Sequence, residues 1–158
     1  QRRIASADGV PGQALDQRGR ERLRDAVARG AGHPDIDGVT VRILSPFDAG
    51  PEDVVAADAI LLGTTENLGT MSGALKDFFD RIYYPVLERK QGMPCALWVR
   101  AGHDGTGTCR AVQAIVTGLR WSWVQPPVVW RGAWQDSFVA DAETLGMTLA
   151  AGLESGIF

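Results

Sequence analysis

Few residues in this chain are equipped for chemistry, and they fall in two short stretches. Thr64-Thr65-Glu66-Asn67-Leu68-Gly69-Thr70-Met71 is polar and glycine-bearing, and so is Ala101-Gly102-His103-Asp104-Gly105. Each comes after an apolar run, so each reads as the loop that leaves the carboxyl end of a buried strand, the place where open α/β sheets bind ligands. Besides backbone amides and small hydroxyls they carry one amide side chain, the carboxylates Glu66 and Asp104, His103, and the apolar Leu68 and Met71. His103 is the one histidine near these loops, because His33 lies in another connection, and a lone histidine is more often a surface residue. Cys109 sits where a helix begins, a position that lowers a thiol pKa, but no Cys-x-x-Cys or matched histidine supports a nucleophile. Glu52, Asp53, Glu66 and Asp104 match no metal-ligand spacing. No residue is assigned a catalytic role and no metal site is expected.

The elements that position these loops are set by periodicity. Ala59-Ile60-Leu61-Leu62-Gly63 is the short apolar run of a strand buried on both faces. After the loop the period changes: Leu75, Phe78, Phe79 and Ile82 fall at i, i+3, i+4 and i+7, one face of a helix that Pro85 ends or kinks near Tyr84. Met93–Val99 is the next strand, and Val112, Ile115, Val116 and Leu119 face the helix behind the second loop. Val39–Leu44 is a β-branched strand, and a short helix covers about Glu52 to Ala57 after Pro51. Helices are expected over Arg20–Gly30 and about Ser137–Leu153, and short strands at Trp121–Val124 and Val128–Trp130 around Pro126-Pro127. Strands alternating with helices imply a parallel sheet covered on both faces. The expected fold is one domain over residues 1–158, an α/β three-layer sandwich with five parallel strands in the order 2-1-3-4-5.

The segment "AILLGTTENLGTMSGALKDFFDR" resembles the strand, flavin loop and helix of flavodoxin-like proteins, in particular the NAD(P)H-dependent FMN and quinone reductases. Gly63, Thr64, Gly69, Met71, Ser72, Lys76, Asp77, Phe78, Asp80 and Arg81 match that family's pattern in place. Thr65 stands where the family usually has proline, and Thr70 where it often has an aromatic residue or asparagine. The resemblance implies an FMN-binding oxidoreductase that takes electrons from NAD(P)H and passes them to a quinone or similar small molecule. It makes Thr64 through Met71 and Ala101 through Gly105 the flavin-binding residues, with His103 at the flavin's dipyrimidine edge or on substrate. Gly69 would let the backbone approach the ring, and Leu68 and Met71 would supply apolar contact. Hydride transfer between nicotinamide and flavin needs no protein acid or base, so the absence of a second catalytic side chain is no evidence against catalysis.

Composition narrows the alternatives. The 158 residues are 45% hydrophobic and 22% charged, ordinary for a globular domain, and the net charge of -3 gives no basic footprint for nucleic acid. No apolar run is long enough to span a bilayer and the N-terminus has no signal-type apolar core, so a cytoplasmic protein is expected. Five tryptophans and the Tyr83-Tyr84-Pro85-Val86-Leu87 stretch suit core packing and a homo-oligomer. A one-electron carrier usually docks through a strongly acidic surface, which -3 does not supply. A flavodoxin-fold domain that has lost flavin and serves in interaction is the other alternative.

The start of the chain favours that alternative. Arg3–Ala7 is a weak first strand with one large apolar residue, Ile4. Between Asp8 and Arg24 there is no hydroxyl side chain to hold a phosphate, Pro11 removes an amide donor, and Asp8 and Asp16 repel a dianion. Arg18, Arg20, Arg22 and Arg24 compensate only if they turn inward, and a solvated helix start is the expectation. These residues predict weak FMN binding in which the phosphate contributes little.

Overall fold

A computed structural model describes the backbone of residues 1–8 and 14–158 and the side chains of residues 1–7 and 17–158. The phosphate-loop reading of residues 9–13 therefore lies outside the described residues.

Strand β1 (Arg2–Asp8) is followed by α1 (Ala14–Ala31), β2 (Val39–Leu44), α2 (Pro51–Ala56), β3 (Ala59–Asn67), β4 (Thr70–Met71) and α3 (Gly73–Val86). Then come β5 (Pro94–Ala101), α4 (Thr106–Gly118), β6 (Ser122–Trp123), β7 (Val128–Arg131) and α5 (Ser137–Glu154). The principal sheet is parallel, in the order β2-β1-β3-β5, with β6 and then β7 along the outer edge of β5. This is the expected 2-1-3-4-5 order, with the fifth strand in two pieces. Pro126 and Pro127 fall between the pieces, and a residue without an N–H cannot donate to the ladder.

The weak first strand is real and central. Ile4, Ala5, Ser6 and Ala7 are buried and pair with β2 on one side and β3 on the other. Alternation along each strand sorts the core into two layers. Ile60, Leu62, Leu97 and Val99 pack with Leu75, Phe78, Phe79 and Ile82 of α3 and with Val112 and Val116 of α4. On the other face, Ile4, Leu61, Ala96 and Trp98 pack with Leu23, Ala26 and Val27 of α1 and with Phe138, Ala142, Leu145 and Leu149 of α5. Ile115 is only half-buried, so the α4 face is narrower than its spacing implies.

Several boundaries differ from expectation, three of them at the site or at the helices beside it. Helix α1 begins at Ala14, six residues before the expected Arg20. Helix α3 runs through Pro85 to Val86, because proline in a last turn loses one bond and the chain leaves two residues later. Strand β3 continues to Asn67, through residues expected to be loop. The two threonines, β-branched, keep the strand extended where polarity and glycine suggested a turn.

Candidate functional site

Strand β3 leads into a hairpin rather than an open loop. Glu66 pairs with Met71 and Asn67 with Thr70, leaving Leu68 and Gly69 as the two-residue turn. Both have positive φ, 52° and 78°, the pattern of a type I′ turn. Glycine adopts this freely; leucine does so at a cost of about 1–2 kcal/mol. The Leu68 side chain is fully exposed at the tip, so no packing in the chain offsets the strain.

The base of the hairpin is internally committed. Thr64 is fully buried; its Oγ1 donates to the Thr65 carbonyl and accepts from the Ser72 N–H at 3.0 Å. Thr65 donates its hydroxyl to Asn67 Oδ1 at 2.9 Å. Ser72 caps α3 by accepting from the Leu75 N–H. Met71 is buried, whereas Asn67 is half-buried and Thr70 exposed.

The second loop is tied to the first. Glu66 accepts from the His103 N–H at 2.8 Å and from the Gly105 N–H at 3.2 Å. A Cβ on Gly107, in the first turn of α4, would lie 2.1 Å from the Gly69 carbonyl oxygen, so helix and hairpin tip touch through backbone. Gly102, His103 and Asp104 are exposed, while Ala101 and Gly105 are buried. Asp104 accepts from the Thr106 N–H, and that bond holds its carboxyl below the usual carboxylate range. Burial pushes the Cys109 thiol up, against the lowering expected at a helix start. The hairpin that ends β3 and the loop that leaves β5 are thus joined, while Thr64, Thr65 and Ala101, expected in loops, are buried in the strands beneath.

Three of the four acids that could suggest a metal site have other partners: Asp53 pairs with Arg42 at 2.9 Å, and Glu66 and Asp104 hold amides. Asp77 and Arg81 of the helix pattern pair with each other, and Arg81 also donates to the carbonyls of Ala49 and Pro46, fastening the connection before α2.

Beneath the loops, Trp98 packs so closely on Gly63 that a Cβ there would meet the indole at 2.3 Å. Trp98 adjoins Trp130, Trp130 adjoins Phe138, and Phe138 adjoins Trp134, with ring centroids 6.0, 6.4 and 5.7 Å apart. Arg100 is buried beside them, donating to the carbonyls of Ala101, Trp130 and Gly132. On α1, the expectation of a wholly solvated helix start fails at one residue. Arg18 and Arg22 are not buried, but Arg20 is, on the stripe that carries Leu23 and Val27.

A five-stranded parallel sheet in this order, helices on both faces and paired loops at the carboxyl ends define a flavodoxin-like α/β protein. Residues 45–136 match the family described as NADPH-dependent FMN reductase, and the chain belongs to that family. A flavodoxin from Aquifex aeolicus (strain VF5) is 29% identical over 99 residues, covering 63% of this chain and 52% of that protein. The chain thus matches about half the length of this curated relative. Among solved structures, a flavodiiron core from Synechocystis sp. PCC6803 superposes with a TM-score of 0.76 at 14% identity, covering 98% of this chain and 36% of that one. A WrbA-like flavodoxin from Agrobacterium tumefaciens gives 0.70 at 17% identity, covering 96% of each chain. At such identities these structures speak to the fold alone. Among the described residues, no helix is long and apolar enough to cross a membrane.

Proposed function

We propose that this chain binds FMN at the joined loops and acts as an oxidoreductase, accepting hydride from NAD(P)H and delivering electrons to a quinone or similar small molecule. The observation that carries the reading is the family match, because it spans both loops and the strands beneath them. The residues present fit an FMN. A buried guanidinium with unpaired N–H groups, on Arg20, suits a phosphate; the exposed Leu68 suits apolar ring contact; and the exposed Gly102–Asp104 segment offers polar edges. Bound FMN supplies the redox chemistry, taking up a hydride and releasing electrons to the acceptor. The protein's part is to hold the ring against the hairpin, exclude water from one face through Leu68 and Met71, and leave the other open to nicotinamide. In this reading the exposed His103 side chain donates to the ring's polar edge or to substrate. The same reading makes the protein cytoplasmic and a homo-oligomer, without nucleic-acid or membrane partners.

One observation favours the rival, a flavodoxin-fold domain without flavin that serves in interaction. Glu66 already occupies the amides of His103 and Gly105, which would otherwise be free to donate to a ligand. Purified protein saturated with FMN separates the two. Under anaerobic conditions, NADPH or NADH should bleach the bound flavin, and a quinone should restore the colour. Protein that takes up no flavin, or whose flavin neither nucleotide reduces, would rule out the enzyme.

A further inference from the structure

Among the described residues, Arg20 is a buried charged side chain that the rest of the fold does not pair. It is 7% exposed, and its Nε and Nη1 are buried without a hydrogen-bond partner among the described residues. A guanidinium does not give up its proton in a protein, so the fold carries a buried cation with two nitrogens unsatisfied. A charge held that way destabilises the protein unless something outside the fold pairs with it. Its position says what that partner meets. Ile4 and Leu23 share one core layer. Arg20 lies one turn nearer the start of α1 than Leu23, and Ser6, also buried, lies two residues nearer the carboxyl end of β1 than Ile4. Helical side chains lean toward the helix N-terminus, which carries the guanidinium toward the first turn of α1. The amides and positive dipole end of a helix start also favour an anion.

We propose that Arg20 binds the phosphate monoester of the flavin nucleotide through its paired N–H groups, in place of the hydroxyls that the sequence lacks between Asp8 and Arg24. This rests on the FMN reading above and reverses the expectation that the phosphate contributes little: a phosphate gains most where the cation is already desolvated and has no competing partner. It also assigns Arg20 a cost in the unliganded protein, so an apolar residue of similar reach at this position should stabilise the empty fold while weakening the holo form.

The test titrates FMN and riboflavin in parallel into wild type, Arg20→Met and Arg20→Lys, and tracks the melting temperature of each with inorganic phosphate. Wild type should prefer FMN over riboflavin by at least about tenfold. Arg20→Met should lose roughly ten- to hundredfold in FMN affinity and nothing in riboflavin affinity. Phosphate should raise the melting temperature of wild type but not of Arg20→Met, which without ligand should melt at or above wild type. Should Arg20→Met fail to fold, Arg20→Lys decides: it keeps the charge but not the paired donors, so its FMN-to-riboflavin preference should fall. Equal affinities for the two flavins in wild type, or an unchanged preference in the variants, would overturn the proposal. If neither flavin binds but phosphate still stabilises wild type through Arg20, the FMN reading fails and the anion site stands; if phosphate has no effect either, both fail.

Discussion

Glu66 does more to shape the site than any other side chain on the two loops. Its carboxylate spans from the hairpin to the amides of His103 and Gly105, so two loops that leave different strands move as one. Hydrogen bonds to a charged acceptor are among the stronger ones, and Glu66→Ala should lower unfolding stability by about 1–3 kcal/mol in a denaturant titration, with faster amide exchange at His103 and Gly105. Exchange at those amides as slow as in wild type would show that the bonds do not form in solution. From sequence, Glu66 is only one member of a polar loop. Its partner lies 37 residues away in the chain, and nothing in local spacing encodes that distance. Cys95 makes a second residue-level prediction. Burial pushes its thiol from the ordinary 9.0 up to about 12. The unfolded chain therefore loses this proton at a lower pH than the folded one, and the contribution to stability is complete below about pH 9 and falls as pH rises toward 12. The slope in that window approaches about 1.4 kcal/mol per pH unit. Cys95→Ala should show a shallower decline there; parallel curves for the two proteins would contradict it.

At the scale of elements, helix faces are the most legible part of the chain. Leu75, Phe78, Phe79 and Ile82 repeat at helical spacing, and all four are buried against the sheet. Phe78→Ala should cost about 3–5 kcal/mol by urea unfolding, the range for a buried aromatic truncated in a packed core, and a loss below about 1 kcal/mol would mean the site collapses around the gap. The hairpin is not legible. Its turn is Leu68-Gly69, whereas the turn signal of this geometry is asparagine or aspartate before glycine, so a strained leucine conceals a two-residue reversal. The first strand is faint for the opposite reason. Ala5, Ser6 and Ala7 carry little hydrophobic signal because they lie in the middle of the sheet, where pairing on both sides and close helices ask for small residues. The burial of Arg20 is hidden because the arginines at 18 and 22 are not buried, and local composition cannot mark the one arginine on the Leu23–Val27 stripe as different.

Across the whole molecule, α1 and α5 are fitted together by glycine. A Cβ on Gly30 would lie 1.9 Å from the Glu143 carbonyl oxygen, and one on Gly146 would lie 2.0 Å from that of Val27. The two helices thus touch backbone to backbone, and the ion pairs Arg22–Asp136 and Arg29–Glu143 lie along the same seam. Gly146→Val should force the helices apart and cost more than about 3 kcal/mol, since the obstruction is main chain and cannot swing away. Retention of wild-type melting temperature by that variant would show that the seam opens freely. Because α1 carries Arg20, such a variant that still folds should also lose its preference for FMN over riboflavin.

The contact of Trp98 with Gly63 has an optical consequence. The indole is sealed from water, lies against Gly63 in the middle of β3, and is close enough to Trp130 for the two transition dipoles to interact. Its emission should therefore be blue-shifted in the folded protein, and the Trp98–Trp130 pair should give a structured near-ultraviolet dichroism that vanishes on unfolding. Flavin absorbs where indoles emit, so if FMN binds as proposed, its uptake should be read as quenching of the protein's intrinsic light, and Trp98→Phe should reduce that signal if the ring lies near Gly63.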